Sequence, residues 1–287
     1  MRQQVGGAGL LAPTQAALPP FRLCRPKTLD EARRLLLDNP DATLAAGCTD
    51  LVAAVREGCS PSTLISLRGI DELRTAEQRA GELHLGGLLT HHDGSRHPAV
   101  NRVLPMLGAA WSSIATVRIR FRATVGGNIM ARRHRYEMAV ILGALETQLL
   151  FSGPAGEWRC RVDEFVDGPT AGPALLHHLV VDTESLHTFH YDRSLRPLTT
   201  VALAVRRTGG GLRLTAVAGS EYRRPALLRA EIAGDRMTAA DRADLAHDMA
   251  AQLPERAGDY AGSIEYRRRV VEVLLRRQLT PGPESIS

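Results

Sequence analysis

Residues Ile119 to Ile129 read IRFRATVGGNI, and the Gly126-Gly127 pair within this stretch is the strongest clue to the fold. Adjacent glycines carry no side chains, so a ligand can approach their backbone amides closely. Successive exposed N–H groups form a concave site that suits a phosphate or pyrophosphate. Thr124 and Asn128 flank the pair with side chains that form hydrogen bonds. An isolated Gly-Gly pair is more often an ordinary tight turn, but this pair does not stand alone.

A second stretch of the same kind lies upstream, where Thr43 to Leu51 read TLAAGCTDL. A run of small apolar residues leads into Gly47, and the residues from Leu51 to Gly58 have the pattern of a helix that ends at the glycine. A strand, a glycine turn and a helix start place free amides and the positive end of a helix dipole before an anion. Two such turns could hold an elongated diphosphate from both sides. Neither turn matches the Rossmann or P-loop fingerprints.

Together, the two stretches resemble the FAD-binding medium subunits of molybdenum hydroxylases, a family that includes carbon monoxide and xanthine dehydrogenases. Members of that family usually carry A-G-G-T-D-L in the first loop and T-[IL]-G-G-N-[IL] in the second. A third family motif, D-x-x-x-S-x-E-Y-R-R, is matched from Asp259 to Arg268. The resemblance extends from about Phe21 to about Leu279, which is nearly the whole chain.

The resemblance implies an α+β chain with a two-lobed PCMH-type FAD-binding fold. A small α/β lobe and a larger lobe with a mixed β-sheet would be followed by a C-terminal domain of antiparallel sheet and helices. We expect a disordered tail over residues 1–19, the first lobe over 20–78, the second over 79–192 and the C-terminal domain over 193–287.

The resemblance also implies FAD as the cofactor and assigns its binding to specific positions. The expected cofactor-binding residues are Ala46, Gly47, Cys48, Thr49, Asp50, Thr124, Gly126, Gly127, Asn128 and Glu137. A flavin relay requires no acid–base residue, so catalytic residues are not assigned. His134, Tyr136 and Glu137 are the candidates if the chain acts on a substrate of its own.

Two departures from the family pattern stand out. Cys48 replaces the second glycine of the first loop, which is acceptable if its φ angle is negative, and we interpret it as a small filler rather than a reactive thiol. Residues 130–140 read MARRHRYEMAV, where relatives carry Ser-Pro and then an aspartate near the ribityl chain. Glu137 takes the place of that aspartate. We expect residues 132–137 to border the flavin cleft, with one or two of their basic side chains reaching it.

The function implied is that of an FAD-binding oxidoreductase subunit, which relays electrons between an iron–sulfur partner of a molybdenum hydroxylase and an external acceptor. The partners would be a small iron–sulfur subunit and a large molybdopterin subunit. A stand-alone FAD-dependent oxidoreductase with its own small-molecule substrate is an alternative. A non-catalytic paralogue that has lost flavin is another.

Composition narrows the remaining function classes. The net charge is +5, but the basic residues are spread along the chain and aromatic residues make up only 4%, so we expect no nucleic-acid binding. The four cysteines form no CxxC pair, which favours free thiols in a reducing cytoplasm. The histidines show no metal-binding spacing, and no apolar run approaches the roughly 18 residues of a membrane span. We therefore expect neither a metal site nor a membrane span.

Overall fold

The computed structural model describes residues 20–153, 156–168, 173–194, 198–234 and 237–280. The disordered tail expected over residues 1–19 lies outside this range. Within it, the α+β architecture is confirmed, because three separate sheets are surrounded by helices. None of the described helices combines the length and the apolar character that crossing a lipid bilayer requires.

The first sheet is small and parallel, as a β-α-β-α-β unit requires. Its elements are β1 (Arg22–Cys24), α1 (Leu29–Asp38), β2 (Thr43–Ala45), α2 (Thr49–Arg56) and β3 (Thr63–Ser66). The strand order is β1-β3-β2, so the loop from β2 to α2 emerges at one edge of the sheet. Thr28 is the N-cap of α1, because its hydroxyl accepts a hydrogen bond from the amide of Glu31. Short 3-10 turns follow β3 over residues 67–69 and 71–74.

The second sheet has five strands and is antiparallel throughout, where a mixed sheet was expected. Its strands are β4 (Ala76–Arg79), β5 (Glu82–Gly86), β6 (Gln148–Gly153), β7 (Gly156–Arg161) and β8 (Leu175–Asp182). The strand order is β4-β5-β8-β6-β7. The long helical segment after β5 leads to β6, but β6 does not pair with β5. Instead β8 lies between these two strands and runs antiparallel to both, so the sheet contains no parallel pair.

Seven helices accompany this sheet. They are α3 (His91–Arg96), α4 (Pro98–Val103), α5 (Pro105–Ser113), α6 (Val117–Arg120), α7 (Val125–Met130), α8 (Glu137–Ala144) and α9 (Val162–Asp167). Pro105 separates α4 from α5, since a proline disfavours the helical conformation of the residue before it. Most of α8 is buried, and it packs against the second sheet's core and the third sheet. Its first residue is Glu137, so the segment of residues 132–137 leads directly into the centre of the molecule.

The third sheet is antiparallel and is covered by two long helices. It contains β9 (Leu186–Arg193), β10 (Thr200–Thr208), β11 (Gly211–Gly219) and β12 (Ala226–Ala233), followed by α10 (Ala239–Ala251), a 3-10 turn over residues 255–257 and α11 (Ile264–Leu279). The sheet includes β9, which the expected boundary at residue 193 assigned to the second lobe. The division at residues 78/79 and 192/193 otherwise remains a prediction.

Candidate functional site

The loop between β2 and α2 lies against the chain that precedes α7. A Cβ atom on Gly47 would overlap the carbonyl oxygen of Arg122, so only a glycine allows these two backbones to meet. Residues 47 and 122 belong to different sheet units, and their contact brings the two glycine loops of the sequence into one site.

The first loop presents a run of free backbone amides. In the part of the chain that the structure describes, the N–H groups of residues 47–51 donate to no protein acceptor, and the first helical hydrogen bond is made by the amide of Val52 to Cys48. The side chain of Cys48 does not cap the helix. Five consecutive donors without a protein acceptor therefore lie at the positive end of α2, an arrangement that attracts an anion.

Cys48 adopts the left-handed conformation, with φ 62° and ψ 13°, which contradicts the expectation of a negative φ. This conformation explains why the family pattern has a glycine here, because a Cβ atom is disfavoured at positive φ. The thiol points back along the loop and donates to the carbonyl of Ala46 at 3.4 Å. Burial raises the pKa of the Cys48 thiol above its usual value, so the neutral form dominates in spite of the helix start.

The second loop does not offer the row of exposed amides that the sequence suggested. The amides of Val125 and Gly126 donate to Leu89 and Gly87 at 2.9 and 3.0 Å, and those of Gly127 and Asn128 donate to the hydroxyl and carbonyl oxygens of Thr124. The reason is that α7 begins directly at Val125 with Thr124 as its N-cap.

The two glycines of the second loop have different surroundings. A Cβ atom on Gly126 would lie 2.6 Å from the carbonyl oxygen of Gly87, so Gly126 permits α7 to pack against the strand-end backbone. A Cβ atom on Gly127 would point across the loop toward Ala46, at 3.9 Å, with the Thr124 hydroxyl at 2.9 Å. Gly126 therefore serves packing, whereas Gly127 lies at the opening between the loops.

Two cavities meet at this opening. The larger has a volume of about 610 Å³ and contains all of the expected cofactor-binding residues except Gly126. The smaller, of about 460 Å³, has mostly apolar walls that include Leu67, Leu88 and Leu176. The walls common to both cavities are Leu44, Ala46, Gly127 and Met130. Residues 47–51, whose amides are free, lie in the wall of the larger cavity.

The segment of residues 132–137 borders the larger cavity with only part of its length. Arg135, Tyr136 and Glu137 line the cavity. Arg132 turns away and stacks on Phe165, with its guanidinium 4.0 Å from the ring centre. His134 lies in the wall of a separate cavity of about 230 Å³.

Tyr136 connects this segment to the first loop. Its hydroxyl donates to the carboxylate of Asp50 at 2.7 Å, and the exposed Arg133 approaches the same carboxylate at 3.9 Å. Burial, together with the hydrogen bond to Asp50, raises the pKa of Tyr136. A tyrosine held in this way is a positioning contact rather than a ready proton donor.

Glu137 is held by two residues that the sequence analysis did not identify. Its carboxylate accepts a hydrogen bond from the hydroxyl of Tyr191, and it forms an ion pair with the guanidinium of Arg193 at 3.4 Å. Burial and the neighbouring Glu137 carboxylate raise the pKa of Tyr191. Both partners belong to β9, far along the chain, and no local pattern in the sequence indicates this contact.

His91 is a third residue of the site that the sequence did not indicate. It is fully buried, and the indole N–H of Trp111 donates to its Nδ1 atom at 2.8 Å. Its Nε2 atom lies 3.4 Å from the amide nitrogen of Asn128 in the larger cavity's wall. Burial lowers the pKa of His91 to about 4. The adjacent His92 instead stacks on Phe121, so the two rings point apart. Among the described residues, no group of three or more His, Cys, Asp or Glu is placed to hold a metal ion.

Comparisons with known proteins identify the family of this chain. The sequence model of the family described as "FAD binding domain in molybdopterin dehydrogenase" matches residues 19–182. The chain is 26% identical over 271 residues to the glyceraldehyde dehydrogenase medium chain of Sulfolobus acidocaldarius, covering 89% of this chain and 96% of that one. It is 33% identical over 171 residues to a putative xanthine dehydrogenase FAD-binding subunit of Escherichia coli, covering 58% and 56% of the two chains.

A solved structure shares the fold. Quinoline 2-oxidoreductase from Pseudomonas putida 86 superposes with a TM-score of 0.78 at 24% sequence identity, over 91% of this chain and 96% of that chain. The family match covers more than half of the chain and includes both glycine loops. The chain therefore belongs to the FAD-binding family of molybdopterin dehydrogenases, and it is an FAD-dependent oxidoreductase subunit of the molybdenum hydroxylase type.

Proposed function

We propose that the chain relays electrons from an iron–sulfur partner of a molybdenum hydroxylase to an external acceptor, with FAD bound between its two glycine loops. The observation that carries the proposal is a pair of cavities with common wall residues, the larger of which is lined by the five residues with free amides. A dinucleotide has two bulky ends and a central diphosphate, so two adjoining cavities beside a row of amides suit it. When bound, the flavin accepts electrons and passes them on, while the protein provides orientation and electrostatics.

The diphosphate would lie on the amides of the first loop. Residues 47–51 supply donors there without any cationic side chain, and the dipole of α2 adds to their effect. Thr49 lines the cavity at the same place and adds a hydroxyl. Gly127 keeps the opposite side free of side-chain atoms, so that the diphosphate can pass between the loops.

The two ends of FAD would occupy different cavities. The apolar cavity beside Leu67, Leu88 and Leu176 suits the adenine ring, which needs flat apolar contact. The larger cavity contains Arg135 and Glu137, and it suits the flavin, whose ring and ribityl chain carry many polar atoms. Arg135 places a positive charge near the flavin and favours its anionic reduced form. The sequence alone does not distinguish Arg135 from the neighbouring basic residues Arg132, Arg133 and His134 as the one that reaches the flavin. Of these four side chains, Arg135 is the one in the wall of the larger cavity.

Two observations support separate small iron–sulfur and large molybdopterin subunits as the partners. The four cysteines of this chain are free and lie in no iron–sulfur pattern, and the matching glyceraldehyde dehydrogenase relative is named a medium chain. Free thiols also favour the cytoplasm as its location. A stand-alone enzyme receives less support, because Tyr136 and Glu137 are already occupied by Asp50 and Tyr191.

Cofactor identification tests the proposal directly. The full-length chain is purified, incubated with excess FAD or FMN, freed of unbound flavin and denatured, and the released flavin is identified by chromatography. We expect FAD in about equimolar amount and no retention of FMN. Retention of FMN alone, or of no flavin, would overturn the proposal and favour a paralogue without flavin.

A pair of variants tests the placement of the flavin. Glu137→Ala removes a carboxylate from the larger cavity and should weaken FAD binding and shift the flavin absorbance spectrum. Arg133→Ala is the matched control, because Arg133 belongs to the same segment but does not line the cavity. If the two variants bind FAD equally well, the flavin end does not lie beside Glu137.

A further inference from the structure

An exposed stretch just before the second glycine loop alternates between apolar and basic side chains. It reads VRIRFR over residues 117–122 and includes the single helical turn α6. Val117 and Phe121 are 58% and 57% exposed. Large apolar side chains that are exposed side by side are typical of an interaction surface. Five residues form this surface, the 117–122 face: Val117, Arg118, Ile119, Phe121 and Arg122.

The two arginines of the 117–122 face have no protein partner. Arg118 and Arg122 are exposed, and they form no ion pair or side-chain hydrogen bond with any described residue. Arg120, between them, behaves differently, because its guanidinium donates to the carbonyl oxygen of Ser112 at 2.7 Å. Arg120 therefore holds the turn against α5, whereas the charges of its two neighbours are free to meet a partner.

Carboxylates are absent from a long stretch of sequence on both sides of this face. Arginines occur along the whole chain, but residues 94–136 contain no Asp or Glu. The eight arginines of this stretch are Arg96, Arg102, Arg118, Arg120, Arg122, Arg132, Arg133 and Arg135. The rest of the chain has 28 Lys and Arg against 31 Asp and Glu, so the stretch accounts for the whole positive net charge. A surface charged in this way attracts an acidic partner and repels a basic one.

The 117–122 face continues into the larger cavity. Ile119 belongs to both, and residues 114–116 before the face also line the cavity. The carboxylates in the cavity wall are those of Asp50 and Glu137, and they form ion pairs with Arg133 and Arg193. Neither carboxylate is therefore free to cancel the charge of the face. A partner bound to the face lies beside the cavity proposed for the flavin.

The pattern of the face favours a protein over a membrane or a nucleic acid. Membrane-binding helices separate apolar from basic residues over several turns, whereas these residues alternate and α6 has a single turn. Single-stranded nucleic acid requires aromatic rings for stacking, but Phe121 is the only ring of the face and already stacks on His92. Arginine beside aromatic and apolar side chains is typical of protein–protein interfaces.

We infer that the 117–122 face is the docking surface for an acidic iron–sulfur protein that reduces the flavin. The arginines attract the partner, and the apolar side chains form the contact. The inference rests on the proposed function, since an electron donor has to come close to the flavin. Two iron–sulfur centres each lose one electron, and FAD takes both electrons together with one proton from water to give its anionic reduced form.

Electron transfer from an acidic protein tests the inference. The probe is a reduced plant-type [2Fe–2S] ferredoxin, a one-electron donor, mixed in a stopped-flow instrument with the FAD-loaded full-length chain. One double variant, Arg118→Glu with Arg122→Glu, reverses both charges of the face. The matched control, Arg25→Glu with Arg224→Glu, reverses two exposed arginines of the first and third sheet units that have no ion pair with a described residue. The two double variants therefore have the same net charge.

We expect the face variant to lower the second-order rate constant about tenfold at low salt, and the control variant to lower it at most about twofold. About 0.5 M salt should remove the difference, because it shortens the Debye length to about 4 Å. Val117→Ser should slow the reaction at high salt as well, since it removes apolar contact rather than charge. Reduced methyl viologen, a small cationic donor, should reduce the flavin of all variants without slowing.

Equal rates in the two double variants would overturn the inference. Slowing with methyl viologen as well as ferredoxin would place the effect at the flavin and would also overturn it. Tighter binding of the wild type to a 20-base-pair DNA duplex, or to vesicles of phosphatidylcholine and phosphatidylserine, than to ferredoxin would assign the face to another partner.

A wild type that binds no FAD would overturn the proposed function but leave the face open to measurement. Calorimetry of apoprotein with oxidised ferredoxin would then test docking without any electron transfer. Binding that is lost in the face variant and kept in the control would retain the docking surface, and no binding to the wild type would overturn it.

Discussion

The loop before α2 and the loop before α7 have similar sequences, yet they use their backbone amides in opposite ways. In the first loop, the amides of residues 47–51 have no acceptor in the described part of the chain. In the second, the amides of residues 125–128 are all paired, two with the strand-end backbone and two with Thr124. The difference teaches that a glycine motif can either hold an anion or shape the space beside it. The first loop supplies hydrogen-bond donors, whereas Gly127 of the second loop leaves the space between the loops free of side-chain atoms.

Substitution of Gly47 should have the largest effect, because it affects the contact between the two loops. In Gly47→Ala, the new methyl group overlaps the carbonyl oxygen of Arg122. Backbone atoms cannot yield as a side chain does, so we expect a loss of about 3 kcal/mol of unfolding free energy and no FAD binding. Chemical denaturation and flavin titration would measure the two effects. Near-wild-type values for both would mean that the loops do not touch at this point.

Alanine at the two neighbouring glycines of the second loop should separate packing from ligand contact. Gly126→Ala meets the Gly87 carbonyl and should lower stability by about 2 kcal/mol. Gly127→Ala faces the opening between the loops and should cost less than about 1 kcal/mol of stability, while FAD binding weakens about tenfold. Thermal melts of apoprotein and FAD titrations would be compared. The assignment is wrong if the two variants lose stability and affinity in the same proportion.

Removal of the Tyr136 hydroxyl should have a moderate effect, because it breaks one hydrogen bond between Asp50, at the first loop, and the segment of residues 132–137. Tyr136→Phe leaves the ring and removes the donor to Asp50. We expect a loss of about 1 kcal/mol of unfolding free energy, since a hydrogen bond to a carboxylate is lost at a half-buried site. Denaturation of apoprotein would measure it. In the double variant with Asp50→Asn, the second change should add little, and full additivity would contradict the contact.

Replacement of Cys48 by the usual family residue should have the smallest effect, and it should be favourable. Cys48→Gly relieves a side chain at φ 62°, although glycine also increases the entropy of the unfolded chain. We expect a net gain of about 0.5 kcal/mol of unfolding free energy and unchanged FAD affinity. A loss of flavin-dependent electron transfer with flavin still bound would instead give the thiol a chemical role.

Much of this architecture could be predicted from the sequence, because local patterns determine it. The glycine turn, the helix start after Gly47 and the family motifs near residue 126 are all local, and the fold class they indicate is confirmed. The single break between α4 and α5 is also local, because Pro105 disfavours a helical conformation of Leu104. The antiparallel pairing of the second sheet was not predictable in this way, because it depends on the position of β8 between β5 and β6, and β5 is distant from both of these strands in the sequence.

The parts of the site that escaped prediction depend on partners far along the chain. Glu137 meets Tyr191 and Arg193 on β9, and Asn128 meets His91 on α3. The positive φ of Cys48 was also missed, because nothing in the neighbouring residue types distinguishes a left-handed cysteine from an extended one. The ribityl role expected for Glu137 and the cofactor-binding residues as a set remain predictions.

The hydrogen-bond donors of the first loop belong to the main chain, and this determines which substitutions the loop tolerates. Donors supplied by the main chain are common to every amino acid except proline, so the identity of the side chains at positions 49–51 contributes little to them. Many different sequences can therefore provide the same donors, provided that the chain follows the same path. Proline is the exception, since it alone lacks the N–H group.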